Sequence, residues 1–235
     1  MTASATNFIL HPSLAEEGDG IWFATPAGFT TLPLEALLEP ATSPGAAELR
    51  EALAPILASA PDELSRQSFM ANLSAAQRMV NILRVAGTVH CSLGLHRDDT
   101  GDGDGGVLLS LFAVGWVATA WAPRGVNAAR AVATAEGHTD IEYAELPCGP
   151  ATFSETVRTP TAESGLPRQP LLQIHANLPH PDGNRLAVLT LSTTAVAHRE
   201  HYRDILRQIA GMASFEDPFS PVADEQERGR KRELS

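Results

Sequence analysis

Three groups of residues in this chain have types and spacings that could do chemistry. The first is Asp98-Asp99-Thr100-Gly101-Asp102-Gly103-Asp104, an acidic glycine loop. Counted from Asp98, positions one, three, five and six are Asp, Thr, Asp and Gly, as a calcium loop needs. Position twelve, however, is Leu109 where a bidentate glutamate is required, and the flanks read as strands where the motif has helices. A solvated hairpin loop is therefore the reading, with a weak, adventitious cation site as its alternative. The second group is His198 and His201, three apart and so on one helix face, able to give two imidazoles to one metal. Glu200 does not complete an H-E-x-x-H pattern, and the pair reads as ordinary exposed helix residues. The third is Ser192-Thr193-Thr194, between a strand and a helix where an acyl-transfer nucleophile would stand. The flanking glycines of G-x-S-x-G are missing, and these residues read as the cap of the last helix.

The remaining candidates are weaker. His90, His175 and His180 fall in strands or a turn, with no nucleophile or carboxylate at a known spacing. Gly101-x-Gly103-x-Gly105 is surrounded by aspartates that repel a phosphate, and no P-loop or dinucleotide fingerprint occurs. Trp22, Trp116 and Trp121 read as core residues, or as partly exposed ones that mark an interface. Cys91 and Cys148 read as two reduced, mostly buried thiols. No catalytic, cofactor-binding or metal residue is assigned on these grounds, and no cofactor is implied.

Charge narrows the partners. A net charge of -11 is a poor footprint for nucleic acid or anionic membrane, both of which call for clustered Lys and Arg. Only Lys231 is a lysine among the 17 basic residues, the skew that GC-rich codons produce. The start, Met-Thr-Ala-Ser-Ala-Thr-Asn, has neither basic nor apolar region for a signal peptide. The longest apolar run, Val107 to Trp121, is too short for a membrane helix and reads as a buried strand, with Gly115 marking a bulge. A cytoplasmic protein without membrane insertion is expected.

The elements that would position these residues follow from periodicity. Leu172, Ile174, Ala176 and Leu178 alternate with Gln173, His175 and Asn177, so a strand with one buried face is expected and the polar three form a solvent-side stripe. His180-Pro181-Asp182-Gly183-Asn184 supplies a hairpin turn. The return strand from Arg185 to Thr193 is apolar on both faces and so central. Tyr202, Ile205, Ile209 and Met212 then make the apolar stripe of a helix, with Arg199, Glu200, Arg203 and Arg207 on its other sides. Earlier in the chain, Thr88 to His96 with Val107 to Trp121, and Asp140 to Leu146 with Ala151 to Thr159, read as hairpins, and Asn127 caps an alanine-rich helix between them. Short strand-like pieces at Asn7 to Leu10, Ile21 to Thr25 and Phe29 to Leu32 precede a helical insert over Pro33 to Gly87. Its third helix carries a seam of Phe69, Leu73, Ala76, Val80 and Leu83. One α+β domain over residues 1–221 is expected, followed by a charged, disordered tail over 222–235.

The order from Val107 onward, and above all Leu178-Pro179-His180 followed by Leu186 to Thr193, Tyr202 to Ile209 and Phe215, resembles uncharacterised actinobacterial proteins with a Mog/PsbP-like fold. The resemblance covers about the last half of the chain. It implies an antiparallel β-sheet sandwiched by helices and a non-enzymatic binding or accessory role, and it transfers no site residue. The expected function is therefore binding of another protein or of a second copy, as an accessory factor of a bacterial secretion or assembly system. The alternative is a small-molecule-binding domain or cryptic enzyme, with its pocket between the sheet and the insert over Pro33 to Gly87.

Overall fold

The computed structural model describes residues 8–11, 20–32, 87–97, 107–159, 161 and 168–217, with scattered single positions between 43 and 67. The helical insert of Pro33 to Gly87 lies almost wholly outside these residues, and no element is described there. The Asp98–Asp104 loop and the tail over 222–235 lie outside them as well.

Nine strands and two helices are described. They are β1 (Phe8–His11), β2 (Phe23–Pro26), β3 (Phe29–Thr31), β4 (Thr88–Arg97), β5 (Val107–Ala118), α1 (Arg124–Ala133), β6 (Thr139–Leu146), β7 (Gly149–Arg158), β8 (Leu171–Pro179), β9 (Arg185–Thr193) and α2 (Arg199–Gly211). β1 and β2 pair with each other, and the other seven strands form one antiparallel sheet in the order β3-β4-β5-β9-β8-β7-β6. The fold is α+β, and β9 lies at the centre, as its two apolar faces required.

Alternation along each strand gives the sheet two different faces. One carries Phe112 and Val114 of β5, Ala187, Leu189 and Leu191 of β9, Leu172, Ile174, Ala176 and Leu178 of β8, and Phe153 of β7. Against it lie Tyr202, Ile205, Leu206 and Ile209, at helical spacing along α2, together with Phe23 of β2. Paired hydrogen bonds between Trp22 and Ser214 tie β2 to the chain just after α2. The opposite face carries Thr152, Ser154 and Thr156 of β7 and, directly across from them, Asn177, His175 and Gln173 of β8. α1 covers part of that face, where Thr152 Oγ1 donates to the Ala128 carbonyl at 3.1 Å. The sheet therefore has one described helix on each side.

Three local expectations are corrected. α1 starts at Arg124, after Pro123, so Asn127 is not its cap. Asn127 is buried instead, and its Nδ2 donates to the carbonyls of Gly183 at 2.8 Å and Ala122 at 3.3 Å, which pins the helix to the β8–β9 turn. Nor do Ser192-Thr193-Thr194 cap the last helix. Thr193 Oγ1 donates across the sheet to the Leu109 carbonyl and accepts from the Ala195 N–H, and the chain reaches α2 through a short 3-10 turn, Val196–His198. Finally, the bulge is on β4, between Thr88 and His90, and Gly115 is the residue facing it. A Cβ at Gly115 would stand 3.3 Å from the Gly87 carbonyl, so the small residue permits the close approach.

Candidate functional site

The polar face of the sheet holds the candidate site. The β7–β8–β9 register sets Ser154 opposite His175, and His175 opposite Thr190, so a hydroxyl flanks the imidazole on both neighbouring strands. His175 Nδ1 and Thr190 Oγ1 are 3.1 Å apart. A second imidazole arrives from the chain just before β6, where Gly137 takes a left-handed φ of 75° and turns His138 over the sheet. His138 Nδ1 lies 2.7 Å from Ser154 Oγ, and its ring is 4.9 Å from that of His175, tilted by 31°. Gln173 donates to Ser192 at 3.3 Å and Asn177 to Thr152 at 3.4 Å, so the whole stripe is laced laterally to hydroxyls.

That lacing corrects the reading of Gln173, His175 and Asn177 as a solvent-side stripe. Asn177 is buried and the other two are half-buried. The period of two put them on the right face but could not say that the face is covered.

Both rings are held uncharged near neutral pH. Burial lowers the His175 pKa to about 4, with His138 and then Arg158 adding to the drop. The His138 pKa is also lowered, by burial first and then by Arg158. Arg158, on the same face of β7, donates from Nη2 to the Glu136 carbonyl at 3.2 Å, beside the turn that delivers His138. The Ser154 and His138 pair does not have the form of an acyl-transfer dyad. Ser154 is mid-strand and buried, without the sharp turn that lifts a nucleophile, and no carboxylate among the described residues orients His138.

The edge of the sheet offers a different kind of surface. Ile141 and Tyr143 of β6 are each 54 % exposed, and among the described residues no strand pairs with the outer side of β6. Tyr143 donates to Glu145 on the same strand, which raises its own pKa. The register shifts between Thr139 and Glu142, and Asp140 there has a φ of 48°, the one non-glycine in that region among the described residues. Arg203 holds the turned-out Asp140 carbonyl with a 3.2 Å hydrogen bond.

Arg203 belongs to a ladder that periodicity did not disclose. Arg199, Arg203 and Arg207 recur every four residues along α2 and reach acidic residues of β6 and β7. Arg199 reaches Glu155 at 2.9 Å and Arg203 reaches it at 3.4 Å, while Arg207 reaches Glu142 at 2.5 Å. Glu155 is 1 % exposed, and burial raises its carboxyl pKa against the pull of both arginines, with Asp140 adding to the rise. The signal available in the sequence was Glu155 itself, an acid inside an otherwise apolar and hydroxyl-bearing strand.

The other sequence candidates lie in different parts of the fold, apart from His180 and Trp116, whose rings meet. His201 is exposed and His198 is half-buried at the start of α2; the His201 ring faces His96 at 6.5 Å. His90 is buried beside Phe23 in the core. His180 lies in the β8–β9 turn, 3.0 Å from Asp182, with its ring against Trp116 and Phe215. Trp116 is half-buried beneath Arg185, whereas Trp121 is 69 % exposed and so not a core residue. Both cysteines are free, Cys91 buried and Cys148 half-buried. Among the described residues no group of three or more His, Cys, Asp or Glu could hold a metal ion, and no helix is long and apolar enough to cross a membrane.

Comparison with protein-family models, with curated proteins and with solved structures gives no match to this chain.

Proposed function

We propose that this chain is a non-enzymatic, cytoplasmic binding protein that recruits another protein by taking an extended segment of it onto the free edge of β6. The observation that carries the reading is the eight-residue edge of β6, paired by no further strand among the described residues, with Ile141 and Tyr143 each 54 % exposed. An unpaired edge presents a row of N–H and C=O groups to a further strand, and alternate side chains supply specificity. Asp140 and Glu142 are paired with arginines of α2, which leaves Glu145 as the exposed acid of β6, so the fitting segment alternates apolar residues with a Lys or Arg set against Glu145. A second copy fits less well, because β6 carries no Lys or Arg to set against Glu145. The accessory role in a secretion or assembly system and the Mog/PsbP-like kinship belong to the same proposal and rest on the sequence resemblance.

A selection of displayed extended peptides on the immobilised chain tests it. Enriched peptides are expected to alternate apolar and basic residues, and to bind the Ile141→Lys, Tyr143→Lys variant at least about tenfold more weakly, one such factor being 1.4 kcal/mol. Equal binding to the variant would remove the reading. Sedimentation of the chain alone identifies the other occupant: a concentration-dependent dimer lost in the variant replaces the foreign segment by a second copy.

A further inference from the structure

We propose that the imidazole and hydroxyl cluster of His138, Ser154, His175 and Thr190, with Arg158 at its margin, seats a small molecule through a carboxylate or phosphate group. This does not depend on the β6 edge, since Ile141 and Tyr143 take no part in the cluster.

Each imidazole has two ring nitrogens, and here both Nδ1 atoms are engaged by strand hydroxyls, Ser154 for His138 and Thr190 for His175. Each ring is thereby fixed in orientation with Nε2 left to serve a ligand. When the hydroxyls donate to Nδ1, both Nε2 atoms carry protons and act as donors. The two ring centroids are 4.9 Å apart, so both donors belong to one patch of the sheet face.

The sign of the charge follows from Arg158. Its guanidinium is near enough to depress the titration of both rings. A metal cation would have to sit between two imidazoles beside that fixed positive charge. An oxyanion meets a full charge and two neutral donors, the kind of preorganised polar group that recognises carboxylate and phosphate.

A second observation lies on the same face. Thr156 stands between Ser154 and Arg158 on β7, about 7 Å along the strand from Ser154 at two residues' rise, and is buried with an Oγ1 that has no hydrogen-bond partner. Buried hydroxyls are normally satisfied, so this one has hydrogen-bonding capacity to spare on the face that carries the cluster.

The test uses the full chain, with the imidazole signals of all eight histidines followed by NMR at constant ionic strength. Inorganic phosphate, acetate and zinc are added in separate titrations. Phosphate or acetate is expected to move the His138 and His175 signals saturably while leaving His198 in place, and whichever binds more tightly names the group. Arg158→Gln, at an exposed position, is expected to weaken that binding about tenfold or more, the loss of one charge-assisted contact. His175→Gln keeps a donor of similar reach and is expected to retain part of the affinity. Three results would overturn the proposal: no saturable shift with either anion, saturation by zinc alone, or anion binding unchanged in Arg158→Gln.

Discussion

Removing both cations that face Glu155 is the perturbation whose outcome the structure specifies most fully. In the Arg199→Ala, Arg203→Ala variant a carboxylate that is 1 % exposed loses partners at 2.9 and 3.4 Å. Stripping the partners from a buried charge costs about 3–5 kcal/mol, which is several times what an exposed ion pair contributes. For a chain of this size that corresponds to a fall in Tm of roughly 6–20 °C. Part of the loss comes from other contacts of Arg203, with the Asp140 carbonyl at 3.2 Å and Glu142 at 3.7 Å. Repeating the change in a Glu155→Gln background subtracts that part. With no buried charge to abandon, the same two substitutions are expected to cost only about 1–2 kcal/mol.

The pH dependence has a definite sign. The folded-state pKa of Glu155 is raised, with burial as the leading cause, so between the unfolded and folded values the native chain binds more protons. Stability from this group is therefore lost as pH rises through that window. Without the arginines the carboxyl rises further, and the deficit of the variant shrinks as pH falls from neutral toward the usual carboxylate range. Urea melts of the four proteins at both ends of that range measure the cycle. Equal losses with Glu155 and with Gln at that position would refute the reasoning and leave the arginines as packing groups only.

Two further predictions concern stability and reactivity. Asn127→Ala removes buried hydrogen bonds to the Gly183 and Ala122 carbonyls and is expected to cost about 1–3 kcal/mol in a urea melt; Asn127→Ser, which cannot span both, falls between. Burial pushes the Cys91 thiol up to about 12, so in the native protein it is expected to resist alkylation near neutral pH until the chain unfolds, while half-buried Cys148 reacts earlier; mass spectrometry of timed iodoacetamide reactions separates them.

The sequence disclosed most where a single period controls a whole element. Leu172 to Leu178 alternates, Arg185 to Thr193 is apolar on both faces, and Tyr202 to Ile209 repeats at helical spacing; all three elements are found, although Met212, expected to end the helical stripe, lies past α2 and is 40 % exposed. It disclosed least where a side chain's role depends on a distant neighbour. Asn127 has the composition of a cap, yet its partners are the Gly183 and Ala122 carbonyls, the first of them 56 residues away. Arg199, Arg203 and Arg207 have the spacing of an ordinary solvated helix face, and only the docking of α2 across β8 and β9 brings them within reach of the acids on β6 and β7. The imidazole pair was hidden for the same reason. His138 belongs to a turn that no periodicity describes, and its meeting with His175 across three strands depends on the sheet order.

That order also governs how the chain can be made. β3, β4 and β5 form one half of the sheet and β8, β7 and β6 the other, and β9 alone joins them, by pairing with β5 on one side and β8 on the other. A ribosome releases both halves before it releases β9. Until residues 185–193 emerge, β5 and β8 each present a long apolar border with open hydrogen bonds, and the contacts between halves are of high sequence separation, the kind that forms slowly. The nascent chain is thus at its most adhesive just before β9 arrives, and a ribosome that stalls short of β9 releases a product inclined to aggregate.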